Sequence, residues 1–105
     1  MRNMLGLLVG RKIVRAEKVH DYLQLWFDNG ALLNIFNLFT VSNGLAEGYS
    51  LLIECEISSV GVSDEAVEFA FMDGKCLHVG MADSDYQGPE AMEYVGVNGE
   101  RIVWP

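Results

Sequence analysis

The fold is decided by residues 23–35, LQLWFDNGALLNI, a stretch that returns 44 positions later as residues 67–79, VEFAFMDGKCLHV. In both copies large apolar side chains occupy every second position before a glycine-containing turn. A period of two is typical of a β-strand with one buried face. The duplicated stretch therefore predicts two copies of one β-hairpin.

The turn in each copy determines which residues face each other across the hairpin. A two-residue loop would place Leu25 opposite Asn34 and mix apolar and polar groups on one face. A three-residue loop that ends at Gly30, with this glycine in the left-handed conformation, pairs apolar residues with one another, and the same holds at Gly74. The predicted pairs are Leu25–Leu33, Leu23–Ile35, Phe69–Leu77 and Val67–Val79 on the inner face, and Trp26–Leu32, Gln24–Asn34, Ala70–Cys76 and Glu68–His78 on the outer face.

The alignment can be continued outward, so that each copy contains three strands. The predicted strands are 12–18, 22–27 and 31–36 in copy one, and 56–62, 66–71 and 75–81 in copy two. Two copies that share one core suggest approximate two-fold symmetry rather than an open solenoid.

The remaining segments connect or close these two units. Residues 37–50 are predicted to cross between the halves as a loop, with Leu38, Phe39 and Val41 in the core. Residues 91–104 are predicted to form a last hairpin anchored by Trp104, although 89–93 could equally begin a helical turn. The predicted fold is all-β: a duplicated antiparallel meander with a C-terminal hairpin, barrel-like or a sandwich.

The chain length of 105 residues predicts a single domain, residues 1–105. We expect it to consist of repeat 1 (7–36), repeat 2 (51–80) and the hairpin 91–104. The cysteines, Cys55 and Cys76, stand at non-equivalent places and are expected to be reduced. No apolar run approaches the roughly 20 residues that a membrane-spanning helix needs, and a secretion signal is not recognised, so we expect a cytoplasmic protein.

The net charge of −8 is unevenly divided along the chain. Residues 50–105 contain two basic and eleven acidic residues, a net charge of −9. Nucleic acids and anionic membranes are disfavoured as partners, because phosphate binding requires clustered Lys and Arg. A basic protein partner is compatible with this charge.

A wider pattern of turn and core residues runs through both copies and beyond them. It comprises Gly10, Ile13, Leu25, Phe27, Gly30, Leu33 and Ile35, then Ile57, Val60, Phe69, Phe71, Asp73, Gly74, Leu77 and Val79, and then Glu90, Ala91, Met92 and Glu93. This layout resembles a family of small bacterial proteins of unknown function that carry a duplicated Leu-x-Phe-x-Asp-Gly-x-x-Leu-x-Ile unit. Met92 stands where that family has an aromatic residue. The resemblance implies the fold described above and no particular activity.

Few side chains in the sequence are suited to catalysis or ligand binding. His78 lies opposite Glu68 in the predicted register, and such an exposed pair more often contributes little than carries a proton. No phosphate-binding loop, paired-cysteine metal motif or nucleophile elbow is recognised, so no cofactor, metal or catalytic residue is predicted. The candidates for lining a ligand pocket between the halves are His78, Asp83, Asp85, Tyr86 and Glu90.

Large side chains on the outer face of copy one suggest an interface. Tyr22, Trp26 and Leu32 stand where copy two has Ala66, Ala70 and Cys76. Either the crossing loop or the last hairpin of the same chain covers them, or a second subunit does, with a homodimer as the simplest case.

The leading functional hypothesis is a non-enzymatic protein-interaction domain. An immunity-like protein that binds a basic toxin through its acidic C-terminal half would be one form of it. The interface candidates are Tyr22, Trp26, Leu32, Glu54, Glu56, Glu68 and Asp73. The alternative is a small-molecule-binding or enzymatic domain with its pocket near residues 83–90.

Overall fold

The computed structural model describes residues 4–41 and 46–105 of the chain. Nine strands lie within these residues, together with three 3₁₀ helices, Met4–Leu8, Ala46–Leu52 and Asp83–Asp85. None of these helical segments is long and apolar enough to cross a membrane. The strands are β1 (Ile13–Val19), β2 (Tyr22–Phe27), β3 (Leu32–Ile35), β4 (Phe39–Val41), β5 (Ile57–Val62), β6 (Ala66–Phe71), β7 (Cys76–Gly80), β8 (Met92–Val95) and β9 (Arg101–Trp104).

The strands form two antiparallel sheets, which confirms the all-β prediction. Sheet I has the order β1-β2-β3-β8-β9, and sheet II has the order β4-β7-β6-β5. The sheets do not close into a barrel, so the sandwich alternative fits the structure. One cluster of buried apolar residues contains side chains from both sheets, including the predicted anchor Trp104, which is 5% exposed.

The predicted register is confirmed in both hairpins. All eight predicted cross-strand pairs are present. The three-residue loop is closed by a bond from Phe27 N to Ala31 O of 2.9 Å in copy one and from Phe71 N to Lys75 O of 2.9 Å in copy two. Gly30 and Gly74 have φ of 89° and 94°, a region in which side chains are disfavoured.

The two copies meet at an approximate two-fold axis. Lys12 and Glu56, which are 44 positions apart, form an isolated antiparallel bridge between the two sheets. Beside it, Gly10 N donates to Ile57 O at 2.8 Å, and the bond at the equivalent positions, from Glu54 N to Ile13 O, is 2.7 Å long. The predicted two-fold symmetry therefore extends to individual hydrogen bonds.

The segment that follows each copy supplies a strand to the sheet of the other copy. After β3 the chain crosses over and β4 pairs with β7, while after β7 the chain returns and β8 pairs with β3. Residues 37–50 were predicted to be a loop, but Phe39–Val41 form β4 and Ala46–Leu52 form a 3₁₀ helix. The predicted core positions of Phe39 and Val41 are confirmed, whereas Leu38 is 50% exposed rather than in the core. Residues 42–45 of this segment lie outside the described residues. Residues 89–91 precede β8 without a helical turn, so the strand alternative was correct from Met92 onward.

Candidate functional site

The segment between β7 and β8, residues 81–91, is fixed at its start and at its middle by hydrogen bonds to the two copies. Met81 N donates to Glu65 O at 2.9 Å, which holds its start against the β5–β6 turn. The side-chain amide of Gln87 donates to Asp21 O at 3.2 Å and to Phe36 O at 3.1 Å, which holds its middle against the β1–β2 turn. Met81 and Gln87 are six positions apart, so their Cα atoms lie at most about 20 Å from each other.

These contacts bring together acidic residues from three separate segments. Within the described residues, none of the six forms an ion pair with Lys, Arg or His, although Asp85 accepts a backbone bond from Ala82 N at 3.1 Å. Asp85 is half-buried, and the others are exposed. We call this set the acidic rim; it consists of Asp21, Asp64, Glu65, Asp83, Asp85 and Glu90.

The positions of Asp83, Asp85 and Glu90 were anticipated from the sequence as candidates, but those of Asp21, Asp64 and Glu65 were not. The latter three lie in hairpin turns, where isolated acidic residues are common and carry no signal by themselves. Only the path of residues 81–91 places them beside the others.

A cavity of about 240 Å³ opens between the β1–β2 turn and residues 87–90. One side contains Tyr22 and Phe36, whose ring centroids are 5.2 Å apart with the planes inclined at 56°. Two rim residues, Asp21 and Glu90, also line it. The cavity is therefore both aromatic and acidic.

A second cavity of about 360 Å³ is lined mainly by residues of sheet II. The predicted pocket residues His78 and Asp85 line it, together with Leu38, Phe39, Thr40 and Gly80. Tyr86 lines neither of these two cavities: it is half-buried, and its hydroxyl donates to Pro105 O at 3.0 Å. Asp85 folds back over Gly80, where an added Cβ would lie 2.2 Å from a carboxylate oxygen.

Three of the four predicted acidic interface residues of copy two have ion-pair partners. Glu54 lies 3.9 Å from Lys12 Nζ, and Glu68 lies 3.2 Å from His78 Nδ1. The Asp73 carboxylate pairs with Lys75 Nζ, and the hydrogen bonds from Lys75 lower the pKa of Asp73 to about 2. Within the described residues, Glu56 is the member of this group without an ion pair.

The outer face of sheet I carries the predicted cluster of Tyr22, Trp26 and Leu32, all half-buried. The guanidinium of Arg15 lies 4.6 Å from the ring centroid of Trp26, and Leu32 pairs with Val95 of the last hairpin. Part of the cluster is therefore covered by the chain itself. A homodimer through this face stays a prediction.

A polar row crosses the same face. Gln24 Nε2 donates to Asn34 Oδ1 at 3.0 Å, and Asn34 Nδ2 donates to Glu93 Oε1 at 3.1 Å. Arg101 donates to the other carboxylate oxygen of Glu93. These bonds, first that from Arg101 and then that from Asn34, lower the pKa of Glu93, which is only 8% exposed. The charge of Glu93 is satisfied internally, in contrast to the charges of the rim.

Neither metal nor thiol chemistry is favoured by the described residues. No group of three or more His, Cys, Asp or Glu side chains among them is arranged to hold a metal ion. Cys55 and Cys76 are free and half-buried, and burial is the main cause that raises the pKa of both thiols. A raised pKa keeps a thiol protonated and poorly nucleophilic at neutral pH.

Comparisons with protein-family models, with curated proteins and with solved structures found no match. The resemblance to a bacterial family with a duplicated β unit therefore stays a prediction.

Proposed function

We propose that this domain is a protein-interaction module that binds a basic segment of another protein through the acidic rim. The observation that supports this proposal is that six carboxylates without an ion pair in the described residues lie on segment 81–91 and on the two turns to which this segment is hydrogen-bonded. Carboxylates that only keep a protein soluble need no such gathering, since dispersed charges serve that purpose.

The arrangement of the rim carboxylates favours binding of cationic side chains from another protein. Charges within about 8 Å of one another still interact at physiological ionic strength. The rim carboxylates that are close in sequence, Asp64 with Glu65 and Asp83 with Asp85, repel each other, and a bound row of Lys or Arg side chains would relieve that repulsion. Complementary charge also accelerates encounter with a basic partner. An immunity-like protein that binds a basic toxin is one biological form of this function.

The experiment compares two variants with the same change of net charge. The rim variant carries Asp64→Asn, Glu65→Gln and Asp83→Asn, and the control variant carries Glu54→Gln, Glu68→Gln and Asp73→Asn. Binding of an octalysine peptide is measured by calorimetry at low and physiological salt. We expect the rim variant to bind about tenfold more weakly, because three exposed charge pairs contribute about 0.5 kcal/mol each. The control variant should change affinity less than twofold.

Equal losses in the two variants would contradict the proposal, since net charge rather than the rim would then determine binding. Affinity of the wild type that does not fall with added salt would contradict it as well. Thermal unfolding of the free variants is the check on folding, and we expect the rim variant to be at least as stable as the wild type.

The alternative, a small-molecule-binding or enzymatic domain, is favoured by the second cavity, which is lined by His78 and Asp85. A ligand there would contact a histidine whose Nδ1 already pairs with the exposed carboxylate of Glu68. His78→Ala would abolish such binding and leave octalysine binding by the rim unchanged, which separates the two functions.

A further inference from the structure

The cavity between the β1–β2 turn and residues 87–90 combines two features that the rest of the rim lacks. Its aromatic side is formed by Tyr22 and Phe36, both half-buried on the outer side of sheet I. The opposite side is held in place by the amide of Gln87, which bonds to Asp21 O and Phe36 O. Pro89 restricts the backbone there. The cavity walls are thus tied together by hydrogen bonds.

The charged side chains that line this cavity are both acidic. Asp21 and Glu90 line it, and neither forms an ion pair with a cation in the described part of the chain. An aromatic face attracts a cation placed within about 6 Å of its centre, and a guanidinium can at the same time bond to a carboxylate. The domain contains an example of the first contact in Arg15, which lies over Trp26.

We propose that this cavity is a subsite for the guanidinium group of an arginine side chain, supplied by the basic partner. The inference rests on the proposed function and specifies the residue that the rim selects. The volume of about 240 Å³ lies below the roughly 300–1,000 Å³ of most small-molecule pockets, and it suits one side chain rather than a metabolite.

Arginine is favoured over lysine by the shape of the cavity. A planar guanidinium can stack on a ring and direct several N–H donors to carboxylates beside it, whereas an ammonium is a compact and strongly hydrated charge. The rim alone would attract both cations equally, so selectivity for arginine is the property that belongs to the cavity.

The experiment measures the affinity of the domain for three peptides of equal length, (Arg-Gly)₄, (Lys-Gly)₄ and (citrulline-Gly)₄, the last being uncharged. The wild type is compared with Phe36→Leu, which removes one aromatic wall, and with Trp26→Leu, which makes the same change on the same sheet face outside the cavity. We expect the wild type to bind the arginine peptide about fivefold more tightly than the lysine peptide, the size of one cation–π contact. Phe36→Leu should remove this preference and Trp26→Leu should preserve it.

Gln87→Ala provides a second variant that keeps both rings. Without the two hydrogen bonds of Gln87, residues 87–90 are no longer held against the β1–β2 turn. We therefore expect the preference for the arginine peptide to fall while the affinity for the lysine peptide is unchanged. Near-ultraviolet circular dichroism and thermal unfolding verify that each variant is folded.

The possible outcomes separate the subsite from the function on which it rests. Equal affinity for the arginine and lysine peptides, with the loss in the rim variant retained, would overturn the subsite and leave the interaction module standing. An arginine preference that survives Phe36→Leu would place the selectivity elsewhere and also overturn the subsite. Absence of binding to both charged peptides would overturn the proposed function together with the subsite.

Discussion

Sheets I and II arise from the same duplicated pattern but differ on their outer faces. Sheet I carries Trp26 and Leu32 there, with the polar row that ends at Glu93 and Arg101. At the positions equivalent to Trp26 and Leu32, sheet II carries Ala70 and Cys76. The inner faces match in register and turn geometry. The shared core restricts the inner residues, whereas the outer residues are free to differ.

The connections between the sheets differ even more than the faces. The passage from β3 to β4 takes three residues, 36–38, and the passage from β7 to β8 takes eleven, 81–91. The acidic rim and the aromatic cavity both depend on the longer passage. The candidate site therefore lies where the two-fold symmetry is broken, which is the place where one half can acquire a role that the other lacks.

The largest difference that we expect between matched changes in the two copies concerns the turn glycines. Gly30→Ala and Gly74→Ala each force a side chain to a positive φ, at a cost of about 1–2 kcal/mol in the free energy of unfolding. At Gly30 the new Cβ would also lie 3.0 Å from Val97 Cγ1, whereas at Gly74 it meets nothing within 4 Å. Urea unfolding should show Gly30→Ala to be the more destabilising of the two.

A rescue variant isolates the contact. Val97→Ala combined with Gly30→Ala should bring the loss close to that of Gly74→Ala. Equal losses for the two single variants would mean that the last hairpin adjusts at no cost and that the two turns are energetically equivalent.

The second comparison concerns the stability contributed by two acidic residues on the outer faces, Glu93 on sheet I and Glu68 on sheet II. Because the folded-state pKa of Glu93 is below its ordinary value of 4.5, its contribution to stability is present above pH 4.5 and is lost as the pH falls through the lowered pKa. Glu93→Gln should cost about 1–2 kcal/mol at pH 7, and this cost should disappear as the pH is lowered from 4.5 to below the folded-state pKa of Glu93. Glu68→Gln, at an exposed pair with His78, should cost less than about 0.5 kcal/mol at pH 7.

Unfolding of both variants and the wild type across this pH range is the measurement. A loss for Glu93→Gln that does not depend on pH would show that packing of the side chain, and not its charge, stabilises the polar row. A loss for Glu68→Gln as large as that for Glu93→Gln would remove the energetic distinction between the two outer faces.

The sequence predicted the hairpins because alternation and turn chemistry are local. Leu25 can face Leu33 only with a loop of three residues, and the glycine that this loop needs is present in both copies. The exchange of β4 and β8 between the sheets could not be predicted, since Phe39–Val41 and Met92–Val95 pair with residues far away in sequence. A strand of three residues is also too short to show a period of two.

The site was only partly predictable for the same reason. Glu90 stood out because residues 83–90 form an irregular acidic segment. Asp21 and Phe36 become neighbours of this segment through the hydrogen bonds of Gln87, an exposed residue with no distinctive sequence signal. Asp73, an acidic interface residue chosen from charge alone, pairs with Lys75 two positions away, and only the side-chain geometry of the turn shows this contact.

The last comparison concerns the pair Gly10 and Glu54, which occupy equivalent positions at the two-fold axis. Both have a positive φ, 87° and 75°, because both donate a backbone hydrogen bond across the axis to the other copy. A left-handed conformation costs a non-glycine residue about 1–2 kcal/mol. Replacement by glycine removes this cost, but glycine also raises the conformational entropy of the unfolded chain, which offsets part of the gain in stability. We therefore expect Glu54→Gly to stabilise the domain by about 0.5 kcal/mol and Gly10→Ala to destabilise it by about 1 kcal/mol.

Glu54→Ala serves as the control in this comparison, because it keeps the disfavoured φ and removes only the exposed contact with Lys12. Its stability in urea should stay close to that of the wild type. If Glu54→Gly were no more stable than Glu54→Ala, the backbone of copy two would not be strained at the axis. The symmetry of the two hydrogen bonds would then be achieved without an energetic cost at Glu54.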